Sequence, residues 1–178
     1  MFCLQVLCPR ADSEVLVQTA LKLRPRFARV CDLGCGSGAL LLWTLQCAPE
    51  CDEGFAVDVC EEAIAVSRRN AERNGMLHKV KFLQMDWRKS CPVKPFDLVL
   101  WNPPYVKSAD CCGIEDPILA LDGGLDGLTF YRSPPWHWVK SGGFMVTEIG
   151  HGMAEDVIAL LRTEGNLLEV AKDLQGRF

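Results

Sequence analysis

A-R-V-C-D-L-G-C-G-S-G, residues 28 to 38, sets the architecture of this chain. Its first half, ARVCDL at 28–33, is an apolar run of strand length, and glycines follow at once at 34, 36 and 38. A helix is expected from Ala39 to about Gln46, so the stretch reads as strand, tight turn and helix, the first unit of a parallel α/β sheet. Glycine has no Cβ, which lets the backbone turn sharply and lets a ligand approach it closely. The spacing is G-x-G-x-G, not the G-x-G-x-x-G of the dinucleotide fingerprint. Such a turn also serves purely for packing, so the other strand ends must decide between the two.

Upstream, Asp12 or Ser13 can cap a helix whose positions Val15, Leu16, Thr19, Ala20 and Leu23 recur at helical spacing, with Pro25 ending it. Downstream, strands are expected over GFAVDV (54–59), KVKFLQ (79–84), PFDLVLW (95–101), GFMVTEI (143–149) and LLEVAKDL (167–174). Helices are expected at 61–74, with Gly75 placed for a C-terminal cap, around 125–132, cut by Pro134-Pro135, and at about 152–164. This alternation defines an α/β domain with a Rossmann-like, doubly wound and mostly parallel sheet. No linker, repeat or low-complexity segment divides it, so residues 1–178 are expected to form a single domain.

The composition is that of an ordinary globular domain. Of 178 residues, 49% are hydrophobic and 24% charged, and a chain of this length buries roughly 70% of its unfolded surface. That excludes a disordered tail and a disulfide-stapled miniprotein. Nineteen Lys and Arg against 23 Asp and Glu give a net charge of -4, so no global basic field holds a phosphate backbone by charge alone. The local run Lys22, Arg24, Arg26 and Arg29 reads as a solvated helix end. Ten cysteines stand at 3, 8, 31, 35, 47, 51, 60, 91, 111 and 112, with no CxxC among them. The zinc candidates are the C-x3-C pairs Cys31/Cys35, in a strand and its following turn, and Cys47/Cys51, at a helix end. The thiols read as reduced apolar fillers of a cytoplasmic protein, and no metal is expected. His78, His137 and His151 are scattered, as surface histidines are. The opening MFCLQVLCPR is too short for a signal segment, and no run reaches transmembrane length.

In an open parallel sheet, ligands sit beyond the carboxyl ends of the strands near the switch point. Four strand ends carry suitable residues: Asp32 with Gly34, Cys35, Gly36, Ser37 and Gly38; Asp58; Asp86-Trp87; and Asn102-Pro103-Pro104-Tyr105. Asp58 stands 20 residues beyond Gly38, where an acid can accept both ribose hydroxyls of an adenosine, or can simply cap the next helix. Asp86 offers an acceptor to an exocyclic amine and Trp87 a flat wall to adenine. A pyrophosphate asks for a helix N-terminus and preferably a basic partner, whereas a nucleoside carrying a sulfonium asks for neither. The set therefore favours S-adenosyl-L-methionine over NAD.

Asn102-Pro-Pro-Tyr105 is the most specific element, because two prolines are poorly tolerated beside a sheet. A planar NH2 group has its nitrogen lone pair delocalised and is a poor nucleophile. The Asn102 side-chain oxygen and the Pro103 carbonyl can bind its two hydrogens and aim the nitrogen at a methyl group, with Tyr105 stacked on the plane. Catalysis would then rest on positioning and on stabilising the charge that gathers on nitrogen. No Cys or Ser nucleophile is required.

Assembled, these residues resemble the HemK-type methyltransferases, which modify the N5 amide of a glutamine in peptide-chain release factors. The resemblance is carried by C-P-R-A-D-S-E (8–14), D-L-G-C-G-S-G (32–38), A-V-D (56–58), N-P-P-Y (102–105), P-I-L-A-L-D-G-G-L-D-G-L-T-F-Y-R (117–132) and G-G-F-M-V-T-E-I-G (142–150). N-P-P-Y alone is shared with adenine-N6 methyltransferases of DNA and RNA; the P-R-x-D-S-E opening and the A-L-D-G-G-x-D-G-L-x-x-Y-R block point to the glutamine branch. The resemblance implies a class I methyltransferase fold and S-adenosyl-L-methionine, leaving as S-adenosyl-L-homocysteine, on Gly34 to Gly38, Asp58, Trp87 and Asn102. It implies Asn102 to Tyr105 gripping the glutamine amide and a release factor as protein partner. A cytoplasmic monomer without membrane contact is expected. Family members carry an N-terminal helical domain, where here only Met1 to Leu7 precede the motifs, and a last strand that the end at Gly176-Arg177-Phe178 would cut off; both are expected to be missing. The loop between Tyr105 and Pro117 is shorter than in the family, with Glu115-Asp116-Pro117 where the family has Tyr-Glu-Pro.

Two other readings stay open on the sequence. An amino-methyltransferase of nucleic acid, at adenine N6 or guanine N2, would need a basic channel for a flipped base, and no Lys/Arg cluster lies near 102–124. A catalytically impaired methyltransferase-like domain would bind its cofactor or a partner without turnover. Glu148 of T-E-I-G reads equally as a pocket-shaping group or an ordinary sheet-end carboxylate. Arg10 and Glu14 read either as closing over the cofactor or as a structural salt bridge.

Overall fold

The computed structural model describes residues 6–23 and 26–176; of the residues singled out above, Met1 to Gln5, Arg24, Pro25, Arg177 and Phe178 lie outside the described residues. Five strands, β1 (Arg29–Leu33), β2 (Glu53–Asp58), β3 (Val80–Gln84), β4 (Phe96–Trp101) and β5 (Val139–Thr147), form one sheet in the order β3-β2-β1-β4-β5. Every neighbouring pair is parallel. The chain steps outward from β1 to β3 and then crosses back to β4, so the order reverses at β1. Asp32 lies level with Ala56 on one side and Leu100 on the other.

Side chains along a strand alternate between the two faces of a sheet. Val30, Ala56, Leu98 and Leu100 join the core under the helices α1 (Ser13–Leu23), α2 (Ala39–Cys47) and α3 (Glu61–Arg73). Cys31, Leu33, Phe55, Val57, Val99 and Trp101 join a second core with Trp87, Tyr131, Trp138 and Val157. All six residues of β4 are buried, as a central strand covered on both faces requires. The first face is roofed by regular helices. The second is roofed by aromatic side chains from irregular segments and by α5 (Ala154–Leu161).

The expected ends of α1, α2 and α3 are met to within a residue or two. At the end of α3, Gly75 has φ +68°, its N–H donates to Glu72 O and the Met76 N–H to Ala71 O, the paired bonds of a Schellman cap. Three readings are corrected. No helix forms at 125–132, where only turns are found after the short helix α4 (Ile118–Leu121). Gly124 and Gly127 sit at φ +89° and +80°, and Pro134-Pro135 cannot continue the single turn closed by Arg132 N–H on Leu128 O.

Residues 167–174 form no strand, so the sheet has five strands, all parallel. Alternation alone supplies no ladder: a groove of about 860 Å³ separates this segment from β5, and the Leu174 N–H donates to Asp12 Oδ1 at the start of α1 instead. Arg29, read as part of a solvated helix end, is half-buried on β1. Its Nε donates to Glu53 at 3.1 Å and its guanidinium lies 4.7 Å from the Phe96 ring centre. No described helix is long and apolar enough to cross a membrane.

Candidate functional site

A crevice of about 390 Å³ opens beyond the carboxyl ends of β1, β2 and β4, where ligands of doubly wound sheets sit. It gathers Gly34, Cys35, Gly36, Ser37, Asp58, Asp86, Trp87, Asn102, Pro103, Pro104 and Tyr105, with Glu148 added. Asp32 and Gly38 lie outside its lining.

The glycine turn is held by backbone bonds. Gly34 N–H and Cys35 N–H both donate to Val57 O, at 2.8 and 3.0 Å. Gly36 N–H donates to Asp58 Oδ2 at 2.9 Å, and Cys60 N–H to Asp58 Oδ1 at 2.9 Å. Asp58 thus braces the turn, while Cys60, the N-cap of α3, makes no capping bond of its own. Each Asp58 oxygen keeps acceptor capacity, since a carboxylate offers about four lone-pair sites. The glycines divide between the two sequence readings. A Cβ at Gly34 would meet no heavy atom within 4 Å, leaving its backbone open to a ligand. A Cβ at Gly38 would lie 2.3 Å from Ser67 Oγ, so that glycine seats α2 against α3.

Asp32 is 1% exposed, and neither of its oxygens has a hydrogen-bond partner among the described residues. Burial raises its carboxyl to about 7, the Leu41 backbone N–H pulls it back in part, and the neighbouring Asp58 pushes it up. Burial, reinforced by Asp32, also pushes the Cys31 and Cys35 thiols well up, so both behave as apolar fillers. Asp86 is clasped by Arg88, whose Nε and Nη2 donate at 2.9 and 2.7 Å. That bond holds its carboxyl below the usual range. Trp87 stands edge-on to Trp101 with centroids 5.5 Å apart and tilted to Phe130 at 5.8 Å; its carbonyl accepts from Trp138 Nε1 at 2.8 Å.

On the β4 side the side chains meet across long stretches of sequence. Asn102 Nδ2 donates to Glu148 Oε2 at 3.0 Å, and Ser13 Oγ to the same oxygen at 3.2 Å. The Tyr105 hydroxyl donates to Glu148 Oε1 at 2.9 Å. Tyr131 OH donates to the Glu148 carbonyl at 2.7 Å, and Glu148 N–H to Trp101 O at 3.1 Å. Burial and then the Glu148 charge raise the Tyr105 phenol, keeping it a donor. The A-L-D-G-G-x-D-G block lies against the backbone of Pro104 and Tyr105: a Cβ at Gly123 would sit 2.8 Å from Pro104 O, and one at Gly127 2.4 Å from Tyr105 O. Only glycine lets that loop approach the motif.

At the mouth, Arg10 does not pair with Glu14. Its Nη2 bonds Asp116 Oδ2 at 3.0 Å, bridging the opening segment and the loop before α4, while Glu14 accepts from Gln18. Glu148 is the residue whose part the sequence left undecided. Its partners stand 43, 46 and 135 residues away, where no local spacing can reveal them. The three histidines are exposed. Among the described residues no group of three or more His, Cys, Asp or Glu is arranged to hold a metal ion.

A doubly wound parallel sheet with a glycine turn after β1, an acid after β2 and Asn-Pro-Pro-Tyr after β4 has the class I methyltransferase fold. A solved structure of the N-methyltransferase NodS from Bradyrhizobium japonicum WM9, in complex with S-adenosyl-L-homocysteine, matches it at a TM-score of 0.63 and 16% identity over 88% of this chain and 74% of that one. Residues 10–114 match the family model of the methyltransferase small domain, and the chain belongs to that family. It is similar to the release factor glutamine methyltransferase of Rhodospirillum rubrum, at 39% identity over 94% of this chain and 54% of that protein. It is also similar to the protein of the same name from Caulobacter vibrioides, at 38% identity over 95% of this chain and 62% of that protein. The chain thus spans between half and two thirds of the length of these relatives.

Proposed function

We propose that this chain acts as one catalytic domain that transfers a methyl group from S-adenosyl-L-methionine to the side-chain amide nitrogen, N5, of a glutamine in a peptide-chain release factor. The observation that carries the reading is the Asn102 carboxamide. Its NH2 end is spent on Glu148, which leaves its oxygen, at the crevice, to accept from a planar NH2 group. The similarity to proteins named release factor glutamine methyltransferase supports glutamine as the bearer of that group.

The crevice fits the cofactor by charge and by shape. Its lining holds the carboxylates Asp58, Asp86 and Glu148, while its two arginines, Arg10 and Arg88, are each committed to an aspartate. That balance suits a cationic sulfonium and disfavours a pyrophosphate. Gly34 leaves its backbone open, Asp58 keeps acceptor capacity for ribose hydroxyls, and Trp87 offers an apolar wall to adenine. S-adenosyl-L-methionine supplies a methyl group on positively charged sulfur.

The Asn102 oxygen and the Pro103 carbonyl accept the two N–H bonds of the glutamine amide. They fix the direction of its nitrogen and stabilise the positive charge that gathers there before the proton is lost. Tyr105 packs against the amide plane. Alignment of this kind is worth about 7–11 kcal/mol when the reacting atoms are well placed. The test is transfer of labelled methyl to a release factor with its glutamine loop intact, with DNA and RNA as parallel acceptors. Label is expected in the release factor alone; label in nucleic acid only would overturn the reading.

A further inference from the structure

An asparagine carboxamide has two ends of nearly equal size and opposite hydrogen-bonding character. Only the oxygen can receive a substrate N–H; the NH2 end would meet the acceptor donor to donor. We propose that Glu148 is a positioning residue that sets which end of Asn102 faces the crevice. The proposal rests on the reading above, in which the acceptor is a planar NH2 group.

A carboxylate has acceptors and no donors. Placed 3.0 Å from the Asn102 side chain, it can pair only with Nδ2, and the carboxamide is forced into the orientation that leaves Oδ1 unclaimed among the described residues. The carboxylate is itself fixed at both oxygens and at its backbone. Ser13 from the P-R-x-D-S-E opening shares Oε2, Tyr105 of the N-P-P-Y motif takes Oε1, and Tyr131 of the A-L-D-G-G block holds the carbonyl. Glu148 belongs to T-E-I-G, so two other motifs far apart in the sequence converge on its side chain and a third holds its backbone. A merely capping carboxylate would not need three donors from two distant segments.

The geometry makes the substitutions unequal. Glutamine at 148 retains one carbonyl oxygen for Asn102, and its NH2 can donate to the Tyr105 hydroxyl, which rotates to accept. Leucine leaves Asn102 Nδ2 without a partner and frees the carboxamide to flip. Asparagine-to-aspartate at 102 sets two carboxylates against each other, but together with Glu148→Gln the pair reverses its polarity. The glutamine NH2 then donates to one Asp oxygen and leaves the other at the crevice.

The experiment follows the Asn102 side-chain amide by 15N NMR in wild type, Glu148→Leu and Glu148→Gln, and measures cofactor affinity by calorimetry and steady-state methyl transfer in these and in Asn102→Asp and the Asn102→Asp/Glu148→Gln pair. Glu148→Leu is expected to shift the Asn102 amide resonances and speed their hydrogen exchange. It should lower turnover about 100-fold, in the range seen when one preorganised hydrogen-bonding group is lost, while cofactor affinity, losing one carboxylate of the lining, falls by less than about tenfold. Glu148→Gln should keep turnover within about tenfold, and the double variant should exceed Asn102→Asp by at least about tenfold. Unchanged amide resonances in Glu148→Leu, or a fall in cofactor affinity as large as the fall in turnover, overturns the proposal. A wild-type chain that methylates no glutamine defeats the functional reading instead, and the amide resonances still decide the orientation.

Discussion

On the β1–β2 side of the crevice the groups that face a cofactor are held by bonds from backbone N–H groups: Gly34 and Cys35 to Val57 O, Gly36 and Cys60 to the Asp58 carboxylate. On the β4–β5 side Asn102, Tyr105 and Ser13 meet one carboxylate by side-chain bonds that span 43 to 135 residues. The first side is assembled by a single strand-turn-helix-strand unit and stands once β1 and β2 pair. The second exists only when α1, β4 and the end of β5 are all in place. Damage to the first should therefore appear in cofactor affinity, and damage to the second in turnover.

The largest expected effect lies on the second side. Asn102→Ala should lower turnover about 100- to 1,000-fold, the cost of one preorganised group at developing charge, with cofactor affinity within about twofold; steady-state transfer beside calorimetry checks both, and a matched loss of affinity would erase the contrast between the two sides. Asp58→Ala attacks the first side. It removes a brace and a ribose acceptor together, so affinity for S-adenosyl-L-methionine should fall about 10- to 100-fold, the worth of one or two hydrogen bonds to a charged group, while turnover at saturating cofactor changes less. Normal affinity in calorimetry would remove Asp58 from the ribose.

Asp32 sharpens the contrast from beside the glycine turn. Its folded carboxyl titrates at about 7 against 3.8 for the ordinary side chain, so between those values the folded state holds a proton that the unfolded chain has released. Its contribution to stability is full below about pH 4 and is lost as pH rises through 7. Asp32→Asn should flatten that slope and stabilise the fold at pH 8 by an amount on the order of 4 kcal/mol, read as a higher melting temperature. Thermal melts at pH 5 and pH 8 read it directly, and parallel slopes in both proteins would refute it. The smallest effect belongs to Arg10→Ala. The Arg10–Asp116 pair is 58% and 32% exposed, and such pairs are worth about 0–1 kcal/mol, so cofactor affinity should change less than about fivefold, and less still in high salt.

The difference between the two sides also explains what the sequence could tell. The glycine turn, Asp58 and Gly75 act on neighbours in sequence or on the adjacent strand, and their spacing reveals them. The N-P-P-Y motif is legible for a related reason, because Pro-Pro beside a sheet has few structural uses. Gly38 sits in the same run as Gly34, yet its absent Cβ makes room for Ser67, a contact with α3 that spacing does not register. Glu148 is seen in the sequence only as a carboxylate after a strand, since its meaning comes from Ser13, Asn102 and Tyr105. The helix expected at 125–132 and the strand expected at 167–174 fail for a common reason. Both rest on local pattern, whereas left-handed glycines and the proline pair decide the first, and the want of a ladder partner across a groove decides the second.

The most direct test of the account joins both sides of the crevice in one sample. The chain is titrated with S-adenosyl-L-methionine by calorimetry, then given a release factor with its glutamine loop intact, and the product is read by tandem mass spectrometry. The account predicts saturable binding followed by one methyl group on the side-chain nitrogen of the loop glutamine. Absence of binding, or binding with the glutamine left unmodified by the wild-type chain, would contradict it.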